Sequence, residues 1–372
     1  MQPCVLLVLD QLNIGGTETH VLSIARECKR RGVKVLVAAK SGALLPQLQQ
    51  FDIPFYEIPF SLYDTIDPAL QHQLVEQLAN VAVREGVTVL HAHQTPSGSI
   101  AASVSQRLSI PLFFTVHGTY YGRGALARIL DQSWTGISVS LPVQALITEL
   151  GYASILIPNG VDVDEFRPGD GRDIRQELSI PDSAFVVLSA SRISWQKAAV
   201  SRLLLQVCTD LKARRVSNLH VMVVGDGNRY HELEVFSRKL NARRRAEFVH
   251  LLGKRQDMSR CYAAANVVVG TGRVALEAMA CAKPVIAIGE HGYFGLVQPE
   301  NFASAWSMYF GDHASRSLST RSRLFRELSE VVQSGQLETI GAASRKWVAE
   351  SFSIEQTCTT LIDEYRKSLL HR

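Results

Sequence analysis

Residues 266–288 constrain the fold of this chain most strongly, because apolar and glycine-rich segments alternate there over a short distance. An apolar run at 267–269 is followed by a two-glycine turn, a helix-forming segment at 274–281 and a second apolar run at 285–288. This order predicts a strand, a turn, a helix and a second strand. Two parallel strands joined in this way form a right-handed crossover, which indicates an α/β fold.

The turn of this unit carries candidate chemistry. Glycine lets a ligand approach the backbone, and the first N–H groups of a helix lie at the positive end of its dipole, so Gly272, Arg273 and Val274 form a candidate phosphate site. Glu277 follows about one helical turn later, and its carboxylate can accept hydrogen bonds from two vicinal hydroxyls, as on a ribose. An anion site beside a diol site favours a nucleotide. The same residues also fit a simple tight turn with Glu277 paired locally, and this stretch alone leaves both interpretations open.

Length and composition narrow the class of protein. A chain of 372 residues has room for two domains with separate cores, and its net charge of +4 comes from scattered residues without a long basic stripe. We therefore expect no nucleic-acid partner. The six cysteines are widely spaced and lack a CxxC pair, and the first apolar run, at 5–9, is too short for a signal peptide or a membrane span. These features predict reduced cysteines and a cytoplasmic protein.

The beginning of the chain repeats the strand, glycine loop, helix and strand pattern. An apolar run at 4–9 precedes Gly15 and Gly16, an amphipathic segment follows up to Arg31, and a second apolar run occupies 33–39. The dinucleotide fingerprint GxGxxG is absent from this loop. The loop therefore predicts a close approach to a phosphate or a sugar without specifying NAD.

Histidines follow two later strands of the first half. The predicted strand 88–92 runs into His93, and the strand 111–116 is followed by His117. His117 thus falls at the carboxyl end of its strand, the edge at which open α/β sheets bind ligands, although a hydrogen-bonded structural role fits equally well. We expect His91 and His93 to point to opposite faces of their strand and to make a poor metal pair, and we predict no metal site.

A polar, turn-rich segment at 158–172 is the best candidate for an interdomain linker, and a second α/β series begins at 185. Arg192 and Lys197 flank a loop at the end of its first strand, where two cations suit a diphosphate, although solvated surface cations are also compatible with the pattern. The glycine-rich segment 289–295 is predicted to be a loop, and residues 345–370 are helical in pattern.

With both halves considered, the chain resembles the family 4 glycosyltransferases of the GT-B fold along nearly its whole length. The resemblance implies two Rossmann-like α/β domains facing across a cleft, at 1–165 plus about 355–372 and at 172–354, with the final helix crossing back to the first domain. It rests on motifs that share the order and spacing of the family. These motifs are Gly15-Gly16-Thr17-Glu18, His91-Ala92-His93, Val116-His117-Gly118, Ile157-Pro158-Asn159-Gly160-Val161-Asp162 with Phe166, Arg192 with Lys197, Val224-Gly225-Asp226-Gly227, Leu276-Glu277-Ala278-Met279-Ala280 and Lys283-Pro284-Val285-Ile286.

The resemblance also implies roles in binding a sugar nucleotide. Arg192 and Lys197 would hold the diphosphate, the backbone N–H groups of residues 272–274 would donate to it, and Glu277 would bind the ribose hydroxyls. Residues near Arg255 would present backbone groups to the base. Cleavage of a sugar–phosphate bond needs stabilisation of charge on the leaving diphosphate, and cations with a helix terminus supply it without a metal or another cofactor.

The sequence departs from the family pattern at two positions. The family commonly has an acidic residue eight positions before the ribose-binding glutamate, where this chain has Val269, and Lys197 is followed by Ala198 instead of glycine. The missing acid would have been an acceptor close to the donor sugar. Glu290 or His291, in the neighbouring loop, is a candidate to replace it.

These expectations describe a glycosyltransferase that moves a sugar from a nucleoside diphosphate to a hydroxyl acceptor, such as a lipid-linked or cell-envelope glycan, with retained configuration. Gly16 would approach the diphosphate or the acceptor, and His117 would lie near the transferred sugar. The alternatives are an inverting GT-B transferase, a sugar-nucleotide epimerase, or a degenerate member that acts as a scaffold. Lys29–Arg31 and the segment 125–134 are candidates for peripheral contact with the inner face of a membrane, with an ordinary exposed helix end as the alternative.

Overall fold

The structure is a computed structural model that describes residues 2–64, 67–289, 291–314 and 317–370, without the side chains of residues 195 and 196. The chain divides into two compact units, Met1–Gly160 with Ser353–Arg372 and Val161–Phe352. The domain limits predicted at 165 and about 355 lie a few residues further along the chain.

The first unit contains a sheet of seven parallel strands in the order β3-β2-β1-β4-β5-β6-β7. The interior strand β1 is apolar over its first six residues and is almost wholly buried, as expected for a parallel sheet that is covered on both faces. The strands are β1 (Cys4–Gln11), β2 (Lys34–Lys40), β3 (Phe55–Glu57), β4 (Val89–Ala92), β5 (Leu112–Val116), β6 (Thr135–Ser138) and β7 (Ser154–Leu156).

Helices cover both faces of this sheet, and local signals set their ends. The third helix begins where the Asp67 carboxylate accepts the backbone N–H of Ala69 at 2.8 Å, and it ends at Gly86, whose φ of 65° suits a helix terminus. The helices are α1 (Gly16–Arg30), α2 (Leu45–Gln50), α3 (Pro68–Glu85), α4 (Thr95–Leu108), α5 (Arg123–Leu130) and α6 (Leu141–Glu149).

The second unit contains a six-stranded sheet in the order β10-β9-β8-β11-β12-β13. The strands are β8 (Phe185–Ala190), β9 (Leu219–Val224), β10 (Val249–Gly253), β11 (Val267–Gly270), β12 (Val285–Gly289) and β13 (Gly292–Val297). The prediction of a loop at 289–295 is wrong, because β13 pairs antiparallel with β12 as an edge strand. Gly292 and Gly295 have φ angles of 131° and 110°. The glycines that suggested a loop therefore adopt these angles within a strand.

The helices of the second unit complete the α/β series. They are α7 (Arg172–Glu177), α8 (Trp195–Arg214), α9 (Tyr230–Arg244), α10 (Met258–Ala264), α11 (Gly272–Ala280), α12 (Phe302–Ser307), α13 (Arg321–Gln333) and α14 (Leu337–Ser351), with short 3-10 turns at Pro299–Asn301 and Tyr309–Gly311. The strand, turn, helix and strand predicted for 266–288 are confirmed as β11, α11 and β12.

The final helix, α15 (Ile354–Leu370), belongs to the first unit. The helical prediction for 345–370 is therefore right in type, but Phe352 and Ser353 separate α14 from α15. Apolar residues of α15 join those of α1 and β1 in one core. Within the described ranges, no helix combines the length and the apolar character needed to cross a bilayer.

Candidate functional site

The turn between β11 and α11 is shaped by glycine. Gly272, the first residue of α11, has a φ of 51°, and a Cβ atom at this position would lie only 3.0 Å from the Tyr309 ring and 3.1 Å from Asp312 Oδ2. Thr271 makes no side-chain cap to this helix within the described part of the chain. The first N–H groups of a helix have no partner in the helix itself, so this terminus has donors to offer an anion.

A cation and a carboxylate meet beside this terminus. Lys197 Nζ, in the first turn of α8, donates to Asp312 Oδ1 at 3.1 Å, and Thr271 Oγ1 donates to the same oxygen at 3.0 Å. Burial disfavours the charge of Asp312, but Lys197 and His313 hold the pKa of its carboxyl below the ordinary value. Asp312, which the sequence analysis missed, thus holds Lys197 at the predicted phosphate site.

Glu277 lies in the interior, one turn along α11. Its Oε1 accepts from Arg273 Nε at 2.6 Å, and its Oε2 accepts from the Tyr262 hydroxyl at 3.0 Å. Burial raises the pKa of the Glu277 carboxyl, although Arg273 and Tyr262 act in the opposite direction. The local pairing left open by the sequence is therefore present. A carboxylate has about four lone-pair positions, so these two bonds leave capacity for a diol.

The other predicted donor residues differ in their surroundings. Arg192 lies exposed in the loop between β8 and α8. The Arg255 guanidinium donates to Asp257 Oδ1 at 2.8 Å and to Glu177 Oε1 at 2.7 Å, so its side chain is already paired with carboxylates. His291 is exposed immediately before β13, and Glu290 lies outside the described residues.

Val269 occupies the position at which the family pattern has an acid. It is 1% exposed and pairs with Ile286 of β12 and Ser189 of β8 in the middle of the sheet. An apolar side chain belongs in such a strand interior. Asp312 is the acidic side chain that lies against Thr271 and Gly272 instead.

His91 and His93 lie side by side, with ring centroids 4.2 Å apart. The expectation that they point to opposite faces is wrong, because residues two apart on a strand share a face. His91 Nδ1 lies 2.6 Å from the Tyr365 hydroxyl, and its Nε2 lies 2.7 Å from Thr115 Oγ1. Burial lowers the pKa of His91 to about 3 and the pKa of His93 well below its ordinary value, so both rings are neutral at pH 7.

His117 joins a buried histidine cluster at the carboxyl edge of the first sheet. Its Nε2 lies 3.1 Å from His93 Nδ1, and its ring centroid lies 5.1 Å from that of His20 in α1. One nitrogen from each of the three rings lies within 4.8 Å of the other two. Three imidazole nitrogens this close together could hold a metal ion, so the expectation of no metal site stays a prediction. His117 thus contacts both His93 and His20.

Asp10, which ends the buried part of β1, is a second residue that the sequence analysis missed. It is 8% exposed, and its Oδ1 accepts the backbone N–H of Ser97 in the first turn of α4 at 2.9 Å. Burial raises the pKa of Asp10 to about 6, the bond from Ser97 opposes this shift, and Glu18 and Asp64 add to it. A carboxylate at the end of a buried apolar run was a signal that could have identified this position.

We expect Asp10→Asn to stabilise the protein at pH 7 by up to about 3 kcal/mol, because a raised carboxyl pKa makes ionisation costly in the folded state. The native state binds more protons than the unfolded chain between pH 4 and 6, so wild-type stability falls as pH rises through this window. Asp10→Asn has no carboxyl group to titrate, so it lacks this pH dependence. Its amide oxygen can still accept the backbone N–H of Ser97. Denaturant unfolding of both proteins at pH 4.5 and 7 measures the difference. Equal wild-type and variant stabilities at both pH values would contradict the prediction.

The segments considered for membrane contact have partners within the first unit. Arg30 Nε and Arg31 Nε donate to the Glu27 carboxylate at 2.7 and 2.5 Å, and Arg30 Nη2 reaches Glu355 at 2.9 Å. The apolar side chains of α5 are buried in the core. The basic helix end is thus largely committed to ion pairs.

Comparisons with known proteins agree with this architecture. The model of Glycosyltransferase Family 4 matches residues 14–165, and that of Glycosyl transferases group 1 matches residues 170–306. The D-inositol 3-phosphate glycosyltransferase of Geodermatophilus obscurus is 25% identical, with an alignment that covers 94% of this chain and 84% of the relative.

Solved structures of the same fold include a glycosyltransferase from Rickettsia africae, with a TM-score of 0.80 at 17% identity over 99% of both chains. Anabaena Alr3699/HepE in complex with UDP-glucose has a TM-score of 0.74 at 22% identity, covering 98% of this chain and 99% of that one. Two α/β units, each with a largely parallel sheet, and these family matches define a glycosyltransferase of the GT-B fold. The chain belongs to the family 4 glycosyltransferases.

Proposed function

We propose that this glycosyltransferase moves a sugar from a nucleoside diphosphate donor to a hydroxyl acceptor, and that the second unit binds the donor. One observation carries the proposal: Lys197, the N-terminus of α11 and the Glu277 carboxylate occur together at the β11–α11 turn or within one helical turn of it. A cation and helix N–H groups suit a diphosphate, and a carboxylate one turn away suits the ribose diol.

In this assignment Lys197 and Arg192 neutralise the diphosphate, and the N–H groups of residues 272–274 donate to its oxygens. Negative charge develops on the diphosphate as the bond to the sugar breaks, so donors held in place before the reaction lower the barrier. Glu277 holds the ribose, and backbone groups near Arg255 contact the base. No metal or other cofactor is required by this scheme.

We assign the acceptor to the first unit. A Cβ at Gly16 would meet no atom of the described residues within 4 Å, which leaves room for a ligand to approach the start of α1. His117, at the carboxyl edge of the sheet, is assigned a contact with the transferred sugar. The Geodermatophilus obscurus relative acts, by its name, on D-inositol 3-phosphate, which supports a polyhydroxylated acceptor. A lipid-linked or cell-envelope glycan is the wider class that we propose.

We propose UDP-sugars as the first donors to test, because the similarly folded Anabaena protein was solved with UDP-glucose. The test measures UDP release from UDP-glucose, UDP-galactose and UDP-N-acetylglucosamine, with and without D-inositol 3-phosphate, myo-inositol or octyl glucoside. GDP- and ADP-sugars form a second panel. Release that depends on an acceptor, with an NMR product that keeps the donor's α configuration, is expected for a retaining transferase. A β product would identify inversion, and an isomerised donor without transfer would identify an epimerase.

A further inference from the structure

The turn after α12 has an unusual backbone. Tyr309, Phe310 and Gly311 have φ angles of 49°, 53° and 81°, so two bulky residues in succession adopt a conformation that side chains disfavour. Both aromatic side chains are buried, and the Trp306 ring packs against each of them. Strained backbone persists where surrounding structure imposes it, and it occurs often at functional sites.

This turn places Asp312 at the start of α11. Oδ1 of Asp312 takes both hydrogen bonds described above, from Lys197 and Thr271. Oδ2 lies 3.1 Å from the position that a Cβ of residue 272 would occupy, so this oxygen lies directly over Gly272. The His313 ring also lies near this oxygen, with its Nε2 3.9 Å away.

The Asp312 carboxylate lies beside the proposed diphosphate site, where like charges repel. Lys197 offsets this repulsion, because an ammonium has three N–H donors and can bridge a carboxylate and a phosphate oxygen at once. The lowered pKa of Asp312 keeps it an acceptor at neutral pH. A carboxylate has no hydrogen bond to give the diphosphate, but it can accept hydrogen bonds from the hydroxyls of the attached sugar. The family pattern has an acid near that sugar at the position where this chain has Val269.

We infer that Asp312 is the acidic residue of the donor site: Oδ1 positions Lys197, and Oδ2 accepts a hydroxyl hydrogen bond from the sugar to be transferred. This inference rests on the proposed function and assigns a residue for sugar recognition that the family pattern does not supply. The strained turn at Tyr309–Gly311 serves to hold Asp312 against α11. A longer or differently directed connection would move the carboxylate away from Gly272.

The test compares the dissociation constants of UDP and UDP-glucose, measured by calorimetry, for the wild type and for Asp312→Asn. UDP affinity should change little, because loss of the charge loosens Lys197 but also removes repulsion of the diphosphate, whereas UDP-glucose should bind about tenfold more weakly because its hydroxyl loses a charged acceptor. The ratio of the two constants should therefore rise about tenfold. A general loss of structure weakens both ligands alike and leaves that ratio unchanged.

Glu327→Gln is the matched control, since Glu327 is a largely buried carboxylate of the same unit that accepts the backbone N–H of Leu296 at 2.6 Å. Its ratio should equal that of the wild type. If Asp312→Asn does not fold, Asp312→Glu keeps the charge but displaces the carboxylate, and it should bind UDP while losing preference for UDP-glucose. An unchanged ratio in the folded variants overturns the role of Asp312 but leaves the donor site intact. Failure of the wild type to bind any nucleoside diphosphate overturns the donor site itself.

Discussion

Lys197→Ala is expected to lower kcat by about 10²–10³-fold, the usual loss when one preorganised donor is removed from a developing charge. Asp312 holds the Lys197 ammonium beside the first residues of α11, so the position of this charge is set before the donor binds. Steady-state turnover with a saturating donor sugar measures the effect. Lys239→Ala, at an exposed position of α9, is the control and should retain wild-type kcat.

The same substitution leaves Asp312 without its ion-pair partner, and this loss destabilises the protein independently of catalysis. We expect a cost of about 2 kcal/mol, below the 3–5 kcal/mol of a fully buried pair, because the Lys197 side chain is 33% exposed. The double variant Lys197→Met with Asp312→Asn removes both charges and should regain stability without regaining turnover. Recovery of turnover along with stability would show that Lys197 acts only in folding.

Glu277→Gln is expected to weaken UDP binding by about 10–100-fold, because a charged acceptor for the ribose diol becomes a neutral amide. The more specific result concerns the sugar of the nucleotide. Wild-type protein should bind UDP more tightly than 2′-deoxy-UDP, and the variant should bind the two nearly equally. Calorimetric titration with both nucleotides makes the comparison.

Tyr262→Phe is the control for this prediction, since it removes the hydroxyl that donates to Glu277 Oε2 but keeps the carboxylate. It should preserve the preference for the ribonucleotide. Glu277→Gln also leaves Arg273 without its carboxylate partner, so thermal unfolding of each variant must accompany the titrations. A Glu277→Gln protein that discriminates between the two nucleotides as the wild type does would remove Glu277 from the ribose site.

The raised pKa of Glu277 adds a pH dependence to this binding. A protonated carboxyl has less capacity to accept from two hydroxyls, so donor affinity should decline as pH falls through the folded pKa. Because burial places that pKa above the ordinary value for glutamate, the decline begins at a higher pH than for an exposed carboxylate. Glu277→Gln should lack this component of the decline.

The elements that surround the proposed donor site were predictable because their signals are local. The β11–α11 turn, for example, is encoded by two apolar runs, two glycines and one helical segment within 266–288. Val269 was recognised as a departure from the family pattern, and its place in a strand interior explains why an apolar residue is tolerated there.

What the sequence could not show depends on contacts between distant segments. Lys197 and Asp312 are 115 residues apart, and no motif near Asp312 marks it as part of a site. The strand β13 was missed because Gly292 and Gly295, which usually interrupt strands, accommodate unusual backbone angles at a sheet edge. The error at His91 and His93 was one of strand geometry, and their ring separation of 4.2 Å corrects it.

The central claim is that the second unit contains a nucleoside diphosphate site built by Lys197 and Glu277. Thermal unfolding of the full chain with UDP, GDP, ADP and CDP, and with the matching monophosphates, tests it most directly. A ligand at 100 times its dissociation constant stabilises the folded state by about 2.7 kcal/mol, which is readily measured as a rise in Tm. One diphosphate should raise Tm in the wild type and fail to do so in Lys197→Ala and Glu277→Ala. A wild-type Tm unchanged by every nucleotide, or shifts that survive both substitutions, would contradict the claim.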